Sequence, residues 1–351
     1  MEHKMGIIGF GWMGSKHFLS IIPKNCGIEV AAAYDTDPER LELAGQLGIQ
    51  PYGVLKELFA REDIDVILVS TPNYLHKPYV LEALRAGKHV ICEKPAVLHA
   101  GDLLEIMQAA EQADRIFTVH QNRRWDPDYL LVKEAIRRNM IGVPVIIESR
   151  VQGANGIPGD WRREKKYGGG MLYDWGVHLI DQLLYLINSE VVSVYAQLLQ
   201  VNYNVDDNIR IILKFKNGIL AQIDVTTICF QQLPRWNVLG TDGTLQVLNW
   251  ECEGKVIKGK VQEVDWSIEK VKNAAGFTRT MRPRPEDSVE LLPLPELSQE
   301  DKQNTFYENF IKAVEGDIRF YVKAEEILRT CRVIDACFES AKKGTVISCE
   351  I

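Results

Sequence analysis

Met5-Gly-Ile-Ile-Gly9-Phe10-Gly11-Trp12-Met13-Gly14 is the stretch on which the fold turns. A short apolar strand enters a G-x-G-x-x-G loop, and a helical stretch from Ser15 to Ile22 follows. The glycine pattern alone is weak. With a strand before it, a helix after it and another strand beyond, it reads as a dinucleotide loop. Gly9 permits the tight turn, Gly11 lets the backbone approach a pyrophosphate, and Gly14 lets helix and strand pack closely. The helix N-terminus offers unpaired N–H groups and a positive dipole end to phosphates. With Phe10, Trp12 and Met13, these glycines are candidate cofactor-binding residues.

The alternation continues outward. Ile28–Tyr34 is a strand ending at Asp35, where a carboxylate can accept hydrogen bonds from the ribose hydroxyls of NAD and repel a 2′-phosphate. NAD is therefore expected over NADP, with Arg40 the residue that could reverse the preference. Asp37 before Pro38 reads as an N-cap with proline at the first helical position. Strands follow at Asp65–Ser70, Lys88–Cys92 and Ile116–His120, with helices from about Pro78 to Gly87 and from Ala100 to Gln112. This pattern predicts a doubly wound parallel sheet with its ligand crevice at the strands' carboxyl ends. Ser70, Thr71, Pro72, Asn73, His76, Glu93, Lys94 and Gln121 fall at or just past those ends and are further cofactor candidates. A lysine there can set an ammonium beside a reacting oxygen, although a solvated loop lysine is the plainer reading.

The chain has 351 residues, a length that suggests two domains. They are placed at residues 1–122, for the dinucleotide, and 123–351, for substrate binding and oligomerisation. The charge of −7 arises from 41 basic and 48 acidic residues well mixed, which argues against a nucleic-acid or anionic-membrane surface. Seven scattered cysteines show no zinc-site spacing, so no metal is expected and reduced thiols in a cytoplasmic protein fit best. No apolar run reaches membrane-spanning length, and no signal peptide is expected.

Gln121-Asn122-Arg123-Arg124-Trp125 begins the crossing to the second domain and suits either a polar ligand with a ring to stack on or interdomain ion pairs. Asp128–Arg138 reads as a helix and Val143–Val151 as a strand. The charged run Arg162–Lys166 reads mostly as a solvated lip, while Trp161 and Arg162 are candidates for substrate contact. A helix then begins near Gly170. Asp174, His178 and Asp181 share one stripe of it, and Val177, Ile180, Leu184 and Ile187 form an apolar stripe. The polar stripe joins the commonest general base to a carboxylate able to orient it, or is a satisfied surface pair. Strands at Val191–Leu199, Asn208–Lys216, Ile219–Cys229, Pro234–Gly240 and Thr244–Asn249 predict an antiparallel meander whose outer face could bury a partner subunit. Ala274–Pro295 reads as a long loop. Phe306–Glu315 and Ala324–Lys342 read as helices, the second with a core stripe at Ile327, Cys331, Ile334 and Phe338.

Together the glycine loop, Asp35, Thr71–His76, Glu93-Lys94-Pro95 and Gly169-Gly170…Asp174…Gly176…His178…Asp181 resemble the Gfo/Idh/MocA family, across essentially the whole chain. The resemblance implies a Rossmann domain followed by an α+β domain with a large, mostly antiparallel sheet that mediates homodimers or homotetramers. It also implies NAD(P)-linked oxidation of a secondary hydroxyl on a sugar, glycoside or cyclitol. Lys94, Asp174 and His178 match the family's catalytic residues, with His178 as general base oriented by Asp174. Asn122, Arg123, Trp161 and Arg162 join these three as candidate substrate contacts. Two alternatives stand beside this reading: an NAD-dependent glycoside hydrolase working through a transient 3-keto sugar, and a non-catalytic NAD-binding sensor.

Overall fold

The computed structural model describes residues 3–22, 26–260, 271–274, 276–278, 286–298, 305–317 and 321–351. Six strands, β1 (His3–Ile8), β2 (Ile28–Tyr34), β3 (Gln50–Tyr52), β4 (Val66–Val69), β5 (His89–Cys92) and β6 (Phe117–Val119), form the first sheet. Their order is β3-β2-β1-β4-β5-β6 and every pairing is parallel. All four residues of β4 are buried, as expected of a strand covered on both faces. Between the strands run helices α1 (Trp12–Lys16), α2 (Pro38–Gln46), α3 (Leu55–Phe59), α4 (His76–Arg85) and α5 (Ala100–Ala113). Asp37 caps α2 by accepting from the Glu39 N–H, with Pro38 in the first turn. Helix α4 starts two residues before the expected Pro78, because a helix's first N–H groups have no internal partner and a proline there costs little. The stretch after α1 continues as a π-turn, His17–Ile21.

Beyond α6 (Pro127–Arg137) lies β7 (Pro144–Gln152), and beyond the site helix α7 (Val177–Leu186) come β8 (Val191–Leu199), β9 (Asn208–Phe215), β10 (Leu220–Thr226), β11 (Trp236–Gly240), β12 (Gly243–Val247) and β13 (Gly254–Gly259). A two-stranded ribbon, β14 (Val271–Asn273) and β15 (Gly276–Thr278), precedes β16 (Val289–Leu292). Helices α8 (Phe306–Val314) and α9 (Ala324–Lys343) and the short β17 (Ile347–Ser348) follow. The second sheet runs β16-β13-β12-β11-β7-β10-β9-β8-β17. It is not a simple meander: β7 lies between β10 and β11 and is parallel to β10. Hairpin signals are local, whereas β7 is delivered from far upstream, so its insertion has no local signature. The expected loop Ala274–Pro295 also contains β15 and β16, while its residues 275 and 279–285 lie outside the described residues.

The packing does not divide at residue 122. One core joins the first sheet to Phe306, Tyr307, Phe310 and Ile311 of α8 and to Ile327, Leu328 and Cys331 of α9. The other takes Val333, Ile334 and Cys337 from the far half of α9. A 20-residue helix is about 30 Å long, enough to serve both cores. Asp335 of α9 also caps α5, accepting from the Ala100 N–H at 2.9 Å. A second tie fixes the site helix: Arg124 donates twice to Asp181, both at 2.8 Å, and once to Glu326 of α9 at 2.6 Å. Asp181 thus supports α7 and does not face the crevice. Both partners are buried, and removing Asp181 leaves the Arg124 guanidinium with Glu326 as its remaining carboxylate. Asp181→Ala is expected to lower stability by about 2–3 kcal/mol, read from urea denaturation.

Candidate active site

A crevice of about 800 Å³ opens along the carboxyl ends of β1, β2, β4 and β5 and extends to α7. Gly9, Gly11, Trp12, Met13, Asp35, Thr71, Pro72, Asn73, Glu93 and Lys94 line it. Asp35 also holds the loop, accepting from the Phe10 N–H at 2.7 Å and the Asp37 N–H at 3.0 Å. A Cβ on Gly14 would collide with the Gly9 carbonyl, so α1 can approach the loop only with glycine there. Ser70 donates to the same carbonyl at 2.7 Å, and Asn73 donates to the Gly168 carbonyl at 2.8 Å. Several candidates support the wall without lining it. The Phe10 side chain is in the core, Gly14, Ser70 and Gln121 sit behind the loop ends, and His76 is fully buried. The ring nitrogens of His76 lie 2.7 and 2.9 Å from the Pro95 and Thr71 carbonyls, so it braces two strand-end loops.

The other wall is the site helix. It begins with a π-turn, Leu172–Gly176, and becomes α-helical at Val177. Gly170 enters it at φ +113°, and a Cβ there would strike the Asp206 carboxylate. That carboxylate accepts from the Leu172 N–H at 2.6 Å. Asp174 and His178 line the crevice but are not hydrogen-bonded to each other, contrary to expectation. Charge accounts for this. Asp174 faces a full positive charge: Lys94 Nζ donates to its Oδ1 and to its backbone carbonyl, both at 2.8 Å. Arg162 Nε lies 3.5 Å from the same Oδ1. Burial opposes ionisation of Asp174, and the Lys94 and Arg162 charges overcome it, holding the carboxyl below the usual range. His178 is buried and its Nδ1 has no hydrogen-bond partner among the described residues. Burial, then the nearby Lys94 and Arg123 charges, push its pKa well below the ordinary value. The ring is therefore neutral and able to accept a proton.

Asn122, Arg123, Trp161 and Arg162 also line this end. Arg123 stacks 4.1 Å from the Trp175 ring centre and pairs with Asp126 at 2.7 Å; Arg162 lies over Trp161 at 4.7 Å and pairs with Asp160. Of the expected solvated lip, Arg162 turns into the crevice while residues 163–166 are exposed. The sequence reading missed Trp175, although its place one residue after Asp174 could have flagged it. It also missed Tyr34 and Tyr79, which line the Asp35 end. Lastly, His17, Glu93 and His120, distant in sequence, meet in the interior with contacts of 2.8 and 2.9 Å, the lengths of hydrogen bonds.

This geometry defines a nucleotide-dependent oxidoreductase with a second domain completing the site. Residues 3–121 match the model of the oxidoreductase family's NAD-binding Rossmann fold, and residues 133–349 that of its C-terminal alpha/beta domain. The chain belongs to the Gfo/Idh/MocA oxidoreductase family. It is 31% identical to the 1,5-anhydro-D-fructose reductase of Ensifer adhaerens over 69% of this chain and 75% of that one. It is 24% identical to the scyllo-inositol 2-dehydrogenase (NADP(+)) of Bacillus subtilis, over 99% and 96%. The crystal structure of an NAD-binding protein from Listeria innocua superposes with a TM-score of 0.88 at 40% identity, covering 99% and 97%. Those relatives are named as a reductase of an anhydro-sugar and a dehydrogenase of an inositol, and this chain is an oxidoreductase of their family.

The cap on the site helix has a pH signature. Burial raises the Asp206 carboxyl to a pKa of about 7, against the backbone N–H it accepts from. The folded state then holds a proton that the unfolded chain releases near pH 4, so this contribution to stability is present at low pH and lost as pH rises towards 7. Asp206→Asn keeps an acceptor without the charge. It is expected to remove a loss of about 1.4 kcal/mol per pH unit in that window, measured by urea denaturation from pH 4.5 to 8.

Proposed function

We propose that this enzyme interconverts a secondary alcohol and a ketone on a neutral sugar, glycoside or cyclitol, with NAD as the hydride carrier. One observation carries the reading: Lys94 from the nucleotide half and Asp174 and His178 from the site helix converge on the crevice end remote from Asp35. Glycine loop, Asp35 and strand ends would hold the dinucleotide, which when bound supplies a hydride acceptor at nicotinamide C4. The neutral His178 takes the hydroxyl proton as the carbon loses its hydride. The Lys94 ammonium stabilises the negative charge growing on that oxygen, and Asp174 aims the ammonium. In the reverse direction the same groups return the proton.

NAD is favoured over NADP because the Asp35 carboxylate opposes a 2′-phosphate, and Arg40 is paired with Asp37 at 3.8 Å. In the substrate region Lys94, Arg123 and Arg162 each have a carboxylate partner, which supports an uncharged polyol over a sugar acid. We assign the large sheet to a homodimer or homotetramer contact and the protein to the cytoplasm. All seven cysteines are unpaired, and no described helix is long and apolar enough to cross a membrane.

Screening inositols, free hexoses and glycosides with NAD+ while following NADH absorbance is expected to find a substrate. Aglycone release without net NADH would favour the hydrolase, and an inert panel the sensor. With that substrate, Lys94→Ala and His178→Ala should each lower kcat by roughly 10²–10³-fold with NAD+ affinity retained, and unchanged turnover would overturn the assignments.

A further inference from the structure

Glu93 is buried beside Lys94, yet it lines the crevice. Its Oε1 accepts from His17 Nε2 at 2.8 Å and His120 Nδ1 at 2.9 Å, and its Oε2 accepts from the Lys94 backbone N–H at 3.0 Å. On the far side the Tyr307 hydroxyl donates to His17 Nδ1 at 2.5 Å. These partners occupy both carboxylate oxygens. His17 can give Nε2–H while its Nδ1 accepts from tyrosine, and His120 can give Nδ1–H. The Lys94 ammonium is committed to Asp174, and among the described residues no lysine or arginine side chain pairs with Glu93. Burial opposes the charge of Glu93, but the hydrogen bonds from His120 and His17 prevail and hold the carboxyl well below its ordinary range. A carboxylate is thus held in the crevice wall by two imidazoles and a backbone N–H, with no lysine or arginine side chain paired to it among the described residues.

The sheet order says which part of a dinucleotide would lie above it. The pyrophosphate belongs at the glycine loop after β1 and one ribose at Asp35 after β2. The other half must run the opposite way, over β4 and β5, and Glu93 follows β5 directly. That half carries the nicotinamide, positively charged when oxidised and neutral when reduced. We propose that the Glu93 carboxylate, backed by His17, His120 and Tyr307, binds the oxidised cofactor in preference to the reduced one and so biases the bound pair towards the oxidised cofactor, that is, towards substrate reduction. This rests on the dinucleotide reading above.

The test is equilibrium binding of NAD+, NADH and ADP-ribose to wild-type protein and to Glu93→Gln, without substrate. Even about 10 Å away, a unit charge at an effective dielectric of about 20 is worth roughly tenfold in affinity. The variant is therefore expected to lose about tenfold in NAD+ affinity relative to NADH, with ADP-ribose, which lacks the nicotinamide, unchanged. Glu93→Asp, which keeps the charge, should retain most of the wild-type ratio. If the glutamine variant fails to fold, Glu93→Ala removes the carboxylate without setting a new donor against the Lys94 N–H. An unchanged NAD+ to NADH ratio in the neutral variant overturns the proposal, as does an equal loss for all three ligands, which would make Glu93 a purely structural support. Failure of wild-type protein to bind any of the three overturns the dinucleotide reading itself. The comparison is made within one redox pair, so it is independent of whether NAD or NADP is preferred.

Discussion

The ion pair between Lys94 and Asp174 is the constraint to which the rest of the structure conforms. It joins the loop after β5 to the site helix, and Lys94 reaches both the carboxylate and the carbonyl of one residue. Two donors of the ammonium are thereby aimed from outside its own domain, which fixes a long, flexible side chain in a partly buried position. The carboxylate so engaged makes no hydrogen bond to His178. The imidazole is instead held towards its neutral form by burial and by the nearby Lys94 and Arg123 charges.

Such a pair needs its two carriers to hold still against each other. Helix α9 contributes to both cores, α8 packs into the first, and Arg124 ties the segment after β6 to α7 and α9 through Asp181 and Glu326. The C-terminal segments therefore return to brace the nucleotide domain, and Tyr307 of α8 holds His17, which in turn contacts the Glu93 carboxylate beside Lys94. Both faces of the crevice are held by elements distant in sequence.

Much of this was legible in the chain itself. The strand–glycine loop–helix unit, Asp35, the N-cap at Asp37 and the strand ends carrying Thr71, Asn73 and Lys94 follow from local geometry and from side chains that the backbone forces into place. The two stripes of the site helix likewise gave α7 its buried face. What escaped was non-local or broke a regular period. Strand β7 enters the second sheet between β10 and β11 by a long crossover, Lys94 engages Asp174 from the other half of the chain, and His76 turns inward to brace loops.

The sequence by itself determined the nucleotide fold, because a parallel sheet and a glycine loop are written in apolar runs and in positions where a side chain cannot fit. It also determined the types of group available for chemistry at Lys94, Asp174 and His178. Only the tertiary structure decided which of them pair. Partner choice depends on charge and distance across 80 residues of chain, and a cation within 2.8 Å outcompetes an imidazole four positions away. The same holds for Glu93, whose carboxylate meets His17 from α1's continuation and His120 just past β6, with Tyr307 of α8 behind His17.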